Sequence, residues 1–185
     1  DALLTRLSAA AAKLKVGPGT EDGVDLGPVV SDRAQADIER RVEAAVAEGA
    51  ELVVRTELPE RARTGAFVAP ALLETTRDNS IWREEVFGPV LGMLVVDSLD
   101  EAIELVNDSA YGLSSAVFTR SLEAAHRFVD AVDTGQVSVN QPTSGWDVHH
   151  PFGGFKDSGS PFKEQGLEAL RFYTRVKTAA IRSAL

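Results

Sequence analysis

The sequence contains no cysteine and only one methionine, Met93, among its 185 residues. Without cysteine the chain cannot form a disulfide, offer a thiolate to a metal ion or supply a cysteine nucleophile. It also lacks a start methionine, because its first residue is Asp1. We therefore expect a fragment or a proteolysed product of a longer protein.

Long apolar runs and an excess of basic residues are also lacking. No segment approaches the roughly 20 apolar residues that span a bilayer, and no basic stretch followed by an apolar run marks a secretion signal. Acidic side chains outnumber basic ones by 28 to 19, for a net charge of −9, so the surface repels nucleic-acid phosphates. We expect a cytoplasmic protein that binds neither nucleic acid nor membrane.

Helix-like and strand-like patterns alternate along the chain. Two early segments carry apolar residues at helical spacing, which predicts a buried stripe on each helix: Leu3, Leu4, Leu7 and Leu14 in the first, and Ile38, Val42 and Val46 in the second. Short β-rich runs occur at Leu52–Val54, Pro89–Val96, Ala116–Phe118 and Val137–Val139. This alternation predicts an α/β domain with a largely parallel sheet and flanking helices.

The final run, Phe172–Ile181, follows the last helical segment directly and alternates polar with apolar side chains. A strand with one exposed face has this pattern. Because an uncovered strand edge is an aggregation hazard, we expect this strand to belong to another sheet.

Four blocks of sequence carry a family resemblance. They are Glu84–Val90 (Glu-Glu-Val-Phe-Gly-Pro-Val), Tyr111–Thr119, Gly135–Gly159 and Tyr173–Thr178. In this order and at this spacing they resemble the NAD(P)-dependent aldehyde dehydrogenases over almost the whole chain. The resemblance implies the C-terminal catalytic domain of that fold in residues 1–172 and an oligomerisation strand or tail in residues 173–185. The loop Asn140–Gly145 resembles, more loosely, a subgroup that oxidises 2-oxoglutarate semialdehyde.

The first block predicts a contact with the cofactor. Glu85 and Phe87 stand two residues apart, so in an extended backbone their side chains face the same side. A carboxylate can accept both hydrogen bonds of a ribose diol. The resemblance implies that Glu85 binds the nicotinamide ribose of NAD or NADP and that Phe87 flanks the nicotinamide ring. Without the resemblance, the block also fits a solvated helix end with an apolar anchor.

The third block predicts a constrained loop around Phe152. Pro151 disfavours the α conformation at His150, and Gly153 and Gly154 permit torsions or close approaches that other residues do not. The resemblance implies that Phe152 forms part of the wall of an aldehyde tunnel. The alternative is a turn that buries one ring in the core.

The histidines of the same block do not predict a metal site. Adjacent side chains of an extended chain point in opposite directions, which separates His149 from His150. The remaining histidine, His126, falls in a predicted helix. With no cysteine to add a ligand, we expect no structural or catalytic metal.

The chemistry of the family needs residues that this sequence does not supply. Family enzymes use a cysteine thiolate to attack the aldehyde and a glutamate to activate the water that hydrolyses the thioester. We expect both residues, and the dinucleotide-binding unit, to precede Asp1, so no catalytic residue is assigned here. We therefore predict a fragment of an oxidoreductase that converts an aldehyde to a carboxylic acid and is inactive by itself.

Two alternatives stay open on the sequence. One is a non-catalytic assembly module of the same fold, and the other is a relative that reduces an acyl phosphate or an acyl thioester. For the leading interpretation, the resemblance implies a small aldehyde substrate, NAD or NADP as cofactor, and a homodimer or homotetramer held partly by the C-terminal strand.

Overall fold

The computed structural model describes residues 2–160 and 162–183, which divide into two compact units. The first unit runs to Val95 and the second begins at Val96. Both contain helices and strands, as expected of an α/β protein. The division of the sequence into residues 1–172 and 173–185 stays a prediction.

The first unit is built around a three-stranded sheet. Its elements in chain order are α1 (Ala2–Ala11), α2 (Asp32–Ala47), β1 (Glu51–Arg55), a 3-10 turn (Glu60–Ala62), β2 (Ala71–Glu74), α3 (Ser80–Arg83) and β3 (Val90–Met93). The strand order is β1-β2-β3, with β1 antiparallel to β2 and β2 parallel to β3.

Helix α2 supplies much of the first unit's core. Its N-terminus is capped by Ser31, whose Oγ accepts a hydrogen bond of 3.1 Å from the Ala34 amide, and this satisfies one of the unpaired amides of the first turn. Ile38 and Val42 are buried as predicted, whereas Val46 is exposed. The main buried cluster contains Val42, Ala45, Ala50, Ala71 and Leu73. The helix therefore lies with one apolar stripe against the sheet.

The predicted buried stripe of the first helix is wrong. No described residue of α1 is buried, and Leu3 is 66% exposed. Leu7 and Leu14 instead line an apolar cavity of about 370 Å³, together with Val90 and Leu91 of β3. Part of the face that the spacing predicted therefore borders a cavity instead of packing in a core.

The second unit contains two separate two-stranded sheets. Its elements are α4 (Leu99–Asn107), β4 (Tyr111–Gly112), β5 (Ser114–Val117), α5 (Leu122–Ala131), β6 (Gln136–Val139), β7 (Phe155–Lys156), a 3-10 turn (Gly166–Glu168) and α6 (Ala169–Tyr173). Strands β5 and β6 pair in parallel, whereas β4 and β7 pair antiparallel. Two of the four strand pairings in the described residues are thus antiparallel, where the sequence predicted a largely parallel sheet.

The last described residues carry no regular structure. Helix α6 includes Phe172 and Tyr173, so the predicted extended run begins too early by two residues. Residues 174–183 are exposed and form neither helix nor strand, with Val176 99% and Ile181 94% exposed. Pairing of this tail with another subunit stays a prediction. Among the described residues, no helix combines the length and the apolar character that crossing a membrane requires.

Candidate functional site

The 84–88 segment joins α3 to β3 and carries both residues of the predicted cofactor contact. Phe87 has a φ of 53°, in the left-handed region, so the backbone is not extended as the sequence suggested. Glu85 and Phe87 nevertheless line the same two cavities, of about 300 and 450 Å³. The segment therefore brings a carboxylate and an aromatic ring to common spaces with a left-handed residue at Phe87 instead of a continuous strand.

Both side chains are available to a ligand. Phe87 is 80% exposed, so its ring can contact a ligand. Glu85 is exposed and makes no hydrogen bond or ion pair with the other described residues. Its carboxylate thus keeps all of its acceptor positions for a ligand.

Helix α2 holds the first half of the segment by an ion pair. The Arg41 Nη1 donates to Glu84 Oε2 at 2.6 Å, and the Arg41 Nε donates to Asp37 Oδ2 at 2.8 Å. The hydrogen bond from Arg41 lowers the pKa of Asp37, and the two carboxylates raise the pKa of Arg41. Arg41 therefore stays charged and bridges the helix to the 84–88 segment.

The second half of the segment approaches the same helix closely. A Cβ at Gly88 would lie 2.7 Å from Cδ1 of Ile38, which is closer than carbon atoms pack. Glycine at this position lets the backbone reach the buried face of α2. The segment is therefore fixed at both ends, and Glu85 and Phe87 project from between the fixed points.

The Phe152 loop, residues 151–160, lies in the second unit and carries the predicted substrate contact. Phe152 is half-buried, and its carbonyl accepts a hydrogen bond of 2.9 Å from the Glu164 amide. The Lys163 ammonium donates to the Gly135 carbonyl at 2.9 Å and also to the Gly153 carbonyl. The loop predicted to be constrained is thus fixed by bonds to the carbonyls of Phe152 and Gly153. That its ring lines an aldehyde tunnel stays a prediction.

Two glycines allow this packing. Gly153 has a φ of 152°, a conformation that other residues rarely adopt. A Cβ at Gly135 would lie 2.0 Å from the Gly153 oxygen and 2.8 Å from Gly154 Cα. Because both of those atoms belong to the backbone, a side chain at position 135 would push the loop away from the start of β6. That movement would break the bonds from Lys163.

Burial also affects Lys163, the lysine that anchors this loop. Desolvation lowers the pKa of Lys163, since a low-dielectric surrounding disfavours the charged form. Its Nζ lies 4.9 Å from the centroid of the Phe155 ring, a distance at which a cation is attracted to the ring face.

The histidine pair lies in an exposed stretch before the loop. The His149 Nδ1 lies 2.6 Å from Asp147 Oδ1, and the Trp146 ring packs edge-on to His150 with centroids 6.1 Å apart. The His149 amide donates to the Asp147 carboxylate and lowers its pKa. Within residues 2–160 and 162–183, no three histidine, aspartate or glutamate side chains are grouped to hold a metal ion.

Sequence reasoning missed the residues that hold the two segments. Asp37 and Arg41 stand four apart on a helix, which predicts an ion pair, but nothing in the sequence connects Arg41 to Glu84 across 43 positions. Lys163 carries no signal of its contact with Gly135, 28 positions earlier. Both links arise only from the folded chain.

Comparison with known proteins gives a consistent assignment. The model of the aldehyde dehydrogenase family matches residues 1–179. A malonate-semialdehyde dehydrogenase of Pseudomonas aeruginosa is 40% identical over 186 residues, covering 98% of this chain and 37% of that protein. An alpha-ketoglutarate semialdehyde dehydrogenase of Haloferax volcanii is 42% identical over 182 residues, covering 96% of this chain and 37% of that protein.

Solved structures agree with this assignment. A methylmalonate-semialdehyde dehydrogenase from Oceanimonas doudoroffii has a TM-score of 0.91 at 35% identity, over 100% of this chain and 39% of that one. A Mycobacterium tuberculosis aldehyde dehydrogenase in complex with NAD+ has a TM-score of 0.88 at 30% identity, over 95% and 36%. The chain belongs to the aldehyde dehydrogenase family, and the predicted family and α/β class are confirmed. It spans about 37% of the length of the curated relatives.

Proposed function

We propose that this chain forms the C-terminal part of an enzyme that oxidises an aldehyde to a carboxylic acid with NAD or NADP. In this proposal the cysteine nucleophile, the glutamate base and the dinucleotide-binding unit are supplied by polypeptide outside the sequence. The 185 residues contain no cysteine, so the chain by itself should be inactive.

The observation that carries the proposal is the arrangement of Glu85 and Phe87. An unpaired carboxylate and an 80% exposed ring line the same two cavities of one unit. A carboxylate can accept both hydrogen bonds of a ribose diol, and a ring can lie beside a nicotinamide. The residues present therefore fit the cofactor that the family implies, which would supply the hydride acceptor when bound.

Each named residue has a separate task in the proposed enzyme. Glu85 orients the cofactor by holding the nicotinamide ribose, and Phe87 limits where the ring can lie. Phe152 contacts the side chain of the aldehyde from a loop whose backbone is fixed by Lys163. None of the three transfers a proton or forms a bond to the substrate.

The substrate class is proposed from the relatives. The names of the two curated relatives specify semialdehydes: malonate semialdehyde in one, alpha-ketoglutarate semialdehyde in the other. The second matches the looser resemblance of Asn140–Gly145 to enzymes for 2-oxoglutarate semialdehyde. We therefore propose a short aldehyde that carries a second oxygen-bearing group.

The direct test uses the enzyme that contains this chain. Formation of NADH or NADPH is followed by absorbance with a semialdehyde and with an unsubstituted aldehyde of the same length. Aldehyde-dependent reduction of the cofactor is expected, with preference for the semialdehyde. If neither aldehyde reduces the cofactor in folded enzyme that binds it, the proposed reaction is wrong.

Assembly and location belong to the same proposal. The exposed tail of residues 174–183 offers an apolar and polar alternation without a partner strand, and such edges are usually paired. We propose a cytoplasmic homodimer or homotetramer in which this tail joins a sheet of another subunit. Removal of residues 174–185 should lower the mass of the assembly in light scattering, and an unchanged mass contradicts the tail's role.

A further inference from the structure

We propose that Arg41 is a positioning residue for the cofactor, acting through Glu84 on the 84–88 segment. This inference rests on the proposed function, because it assumes that Glu85 and Phe87 contact the cofactor. The family resemblance assigns no role to Glu84 and does not include Arg41, and the predicted site contains neither residue.

Arg41 is the charged link between α2 and the segment. Its Nη1 bonds to Glu84 at 2.6 Å while its Nε bonds to Asp37 at 2.8 Å. A guanidinium with two carboxylate partners on different edges is held in one orientation by its planar, forked donors. Asp37 thereby fixes the side chain that in turn fixes Glu84.

Glu84 immediately precedes the proposed ribose-binding residue. Its backbone amide donates to the Ser80 carbonyl at 2.9 Å, at the end of α3. Three residues later Phe87 adopts a φ of 53°, which is unfavourable for a residue with a side chain. A backbone conformation of this kind persists when the surrounding structure holds it. The Arg41–Glu84 pair holds the chain before Phe87, and the contact of Gly88 with Ile38 holds the chain after it.

Arg41 also lines the larger of the two cavities beside Glu85 and Phe87. A direct bond from Arg41 to the cofactor would therefore produce some of the same effects. The two explanations predict different effects of removing the Glu84 charge. If Arg41 acts through Glu84, removing either charge has the same consequence, and removing both adds nothing. If Arg41 binds the cofactor itself, loss of the Glu84 charge has no effect.

The experiment is a double-mutant cycle in the enzyme that contains this chain. The variants are Arg41→Met, Glu84→Gln and their combination, with Arg41→Lys as the conservative replacement. Arg40→Met is the matched control, because Arg40 pairs with Asp37 on the same helix and contacts neither Glu84 nor the rest of the segment. Cofactor dissociation constants come from equilibrium binding, and Michaelis constants from steady-state rates.

We expect each single variant to raise the cofactor dissociation constant by about two- to fivefold, the range of a half-exposed ion pair. The double variant should match the single ones, and Arg41→Lys should recover part of the loss. The Michaelis constant for the aldehyde at saturating cofactor should change by less than about twofold, a split that general loss of folding would not produce.

A second readout needs neither cofactor nor activity. In the 185-residue chain, the Glu84 amide donates to the Ser80 carbonyl, and it should exchange with deuterium faster in Arg41→Met than in the wild-type chain, and not in Arg40→Met. Normal binding and exchange in Arg41→Met overturn the proposal, as does an effect of Arg40→Met equal to that of Arg41→Met. So does a Glu84→Gln variant that binds the cofactor normally. A wild-type enzyme that reduces no cofactor instead overturns the proposed function and leaves the exchange result to test the ion pair.

Discussion

The 84–88 segment and the Phe152 loop present their predicted functional side chains by different means. The first is held by side chains of α2, through the Arg41–Glu84 ion pair and the contact of Ile38 with Gly88. The second is held through its backbone carbonyls, which accept bonds from the Lys163 side chain and from the Glu164 amide. Side chains can rotate away from an added atom, whereas a backbone fixed by several bonds cannot. The two segments should therefore differ in how they respond to the same kind of substitution.

Gly135→Ala is the strongest test of this difference. The new Cβ would meet the Gly153 oxygen at 2.0 Å and Gly154 Cα at 2.8 Å, both in the backbone. Relief requires the Phe152 loop to move off β6 and to break the bonds from Lys163. We expect the free energy of unfolding of the 185-residue chain, measured in urea, to fall by about 3 kcal/mol.

The corresponding change in the other segment should be milder. Gly88→Ala places its Cβ 2.7 Å from Cδ1 and 3.1 Å from Cγ2 of the buried Ile38, so that side chain must shift within the core, at a cost of about 1–2 kcal/mol. Gly19→Ala is the neutral control, because nothing lies within 4 Å of the new atom. Equal losses for Gly135→Ala and Gly88→Ala would remove the distinction between the two segments.

Phe152→Ala tests the role assigned to the rigid loop. If the ring is part of the aldehyde tunnel, its removal should change the ratio of kcat/KM for a short aliphatic and a bulky aromatic aldehyde by about tenfold or more. The dissociation constant of the cofactor should stay within about twofold, because the cofactor contact is assigned to Glu85 and Phe87. Steady-state rates of the enzyme that contains this chain supply the measurement.

Phe118→Ala is the control for this variant. Phe118 is 71% exposed and lies outside the Phe152 loop, although in the same unit. It should leave both the aldehyde ratio and the cofactor affinity unchanged. An equal drop of kcat/KM for both aldehydes in Phe152→Ala, with weaker cofactor binding, would contradict the tunnel assignment.

Glu85→Gln tests the assignment in the segment held by side chains. A charge-assisted acceptor becomes a neutral one, a loss on the order of 1–2 kcal/mol. We expect the hydride-transfer step in single-turnover kinetics to slow by about tenfold. Folding stability should change little, because the Glu85 carboxylate makes no bond to the other described residues.

Glu57→Gln removes another exposed carboxylate of the first unit and should leave the rate unchanged. If Glu85→Gln transfers hydride at the wild-type rate, the carboxylate does not orient the cofactor. If it is slower only because the protein unfolds, the urea midpoint will have fallen in parallel.

Local patterns in the sequence predicted what depends on nearby residues. The predicted run Val137–Val139 lies within β6, Gln136–Val139. A serine three residues before a glutamate is a capping-box pattern, and half of it forms at the start of α4: the Glu101 amide donates to Ser98 Oγ at 3.1 Å. The other half of the pattern does not form: the Glu101 carboxylate accepts from the Asp97 amide and not from the Ser98 amide. These features depend on only a few consecutive residues, so they can be predicted from one sequence.

Features that depend on distant residues were not predictable. Helix α1 borders a cavity instead of packing in a core, and the positive φ of Phe87 occurs between two contacts with α2. Gln136 shows the same limit: neither atom of its buried side-chain amide has a hydrogen-bond partner among the described residues. No local pattern marks an amide as buried and unpaired, because burial is decided by what packs over it.

The smallest expected effect concerns pH and separates the two anchoring cations. Burial lowers the pKa of Lys163, so the folded chain releases this proton at a lower pH than the unfolded chain, whose lysine titrates near its ordinary value of about 10.4. Between these two values the unfolded state binds more protons, and the free energy of unfolding must rise with pH. Lys163→Arg lacks this contribution, because a guanidinium stays protonated throughout the range. The difference in unfolding free energy between wild type and Lys163→Arg should therefore be constant near pH 7 and should shift in favour of wild type as the pH approaches 10. Urea unfolding at several pH values measures it. A difference that stays constant up to pH 10 contradicts the desolvation of Lys163. The anchor of the 84–88 segment should add no such pH dependence to the free energy of unfolding, because Arg41 stays charged throughout this range.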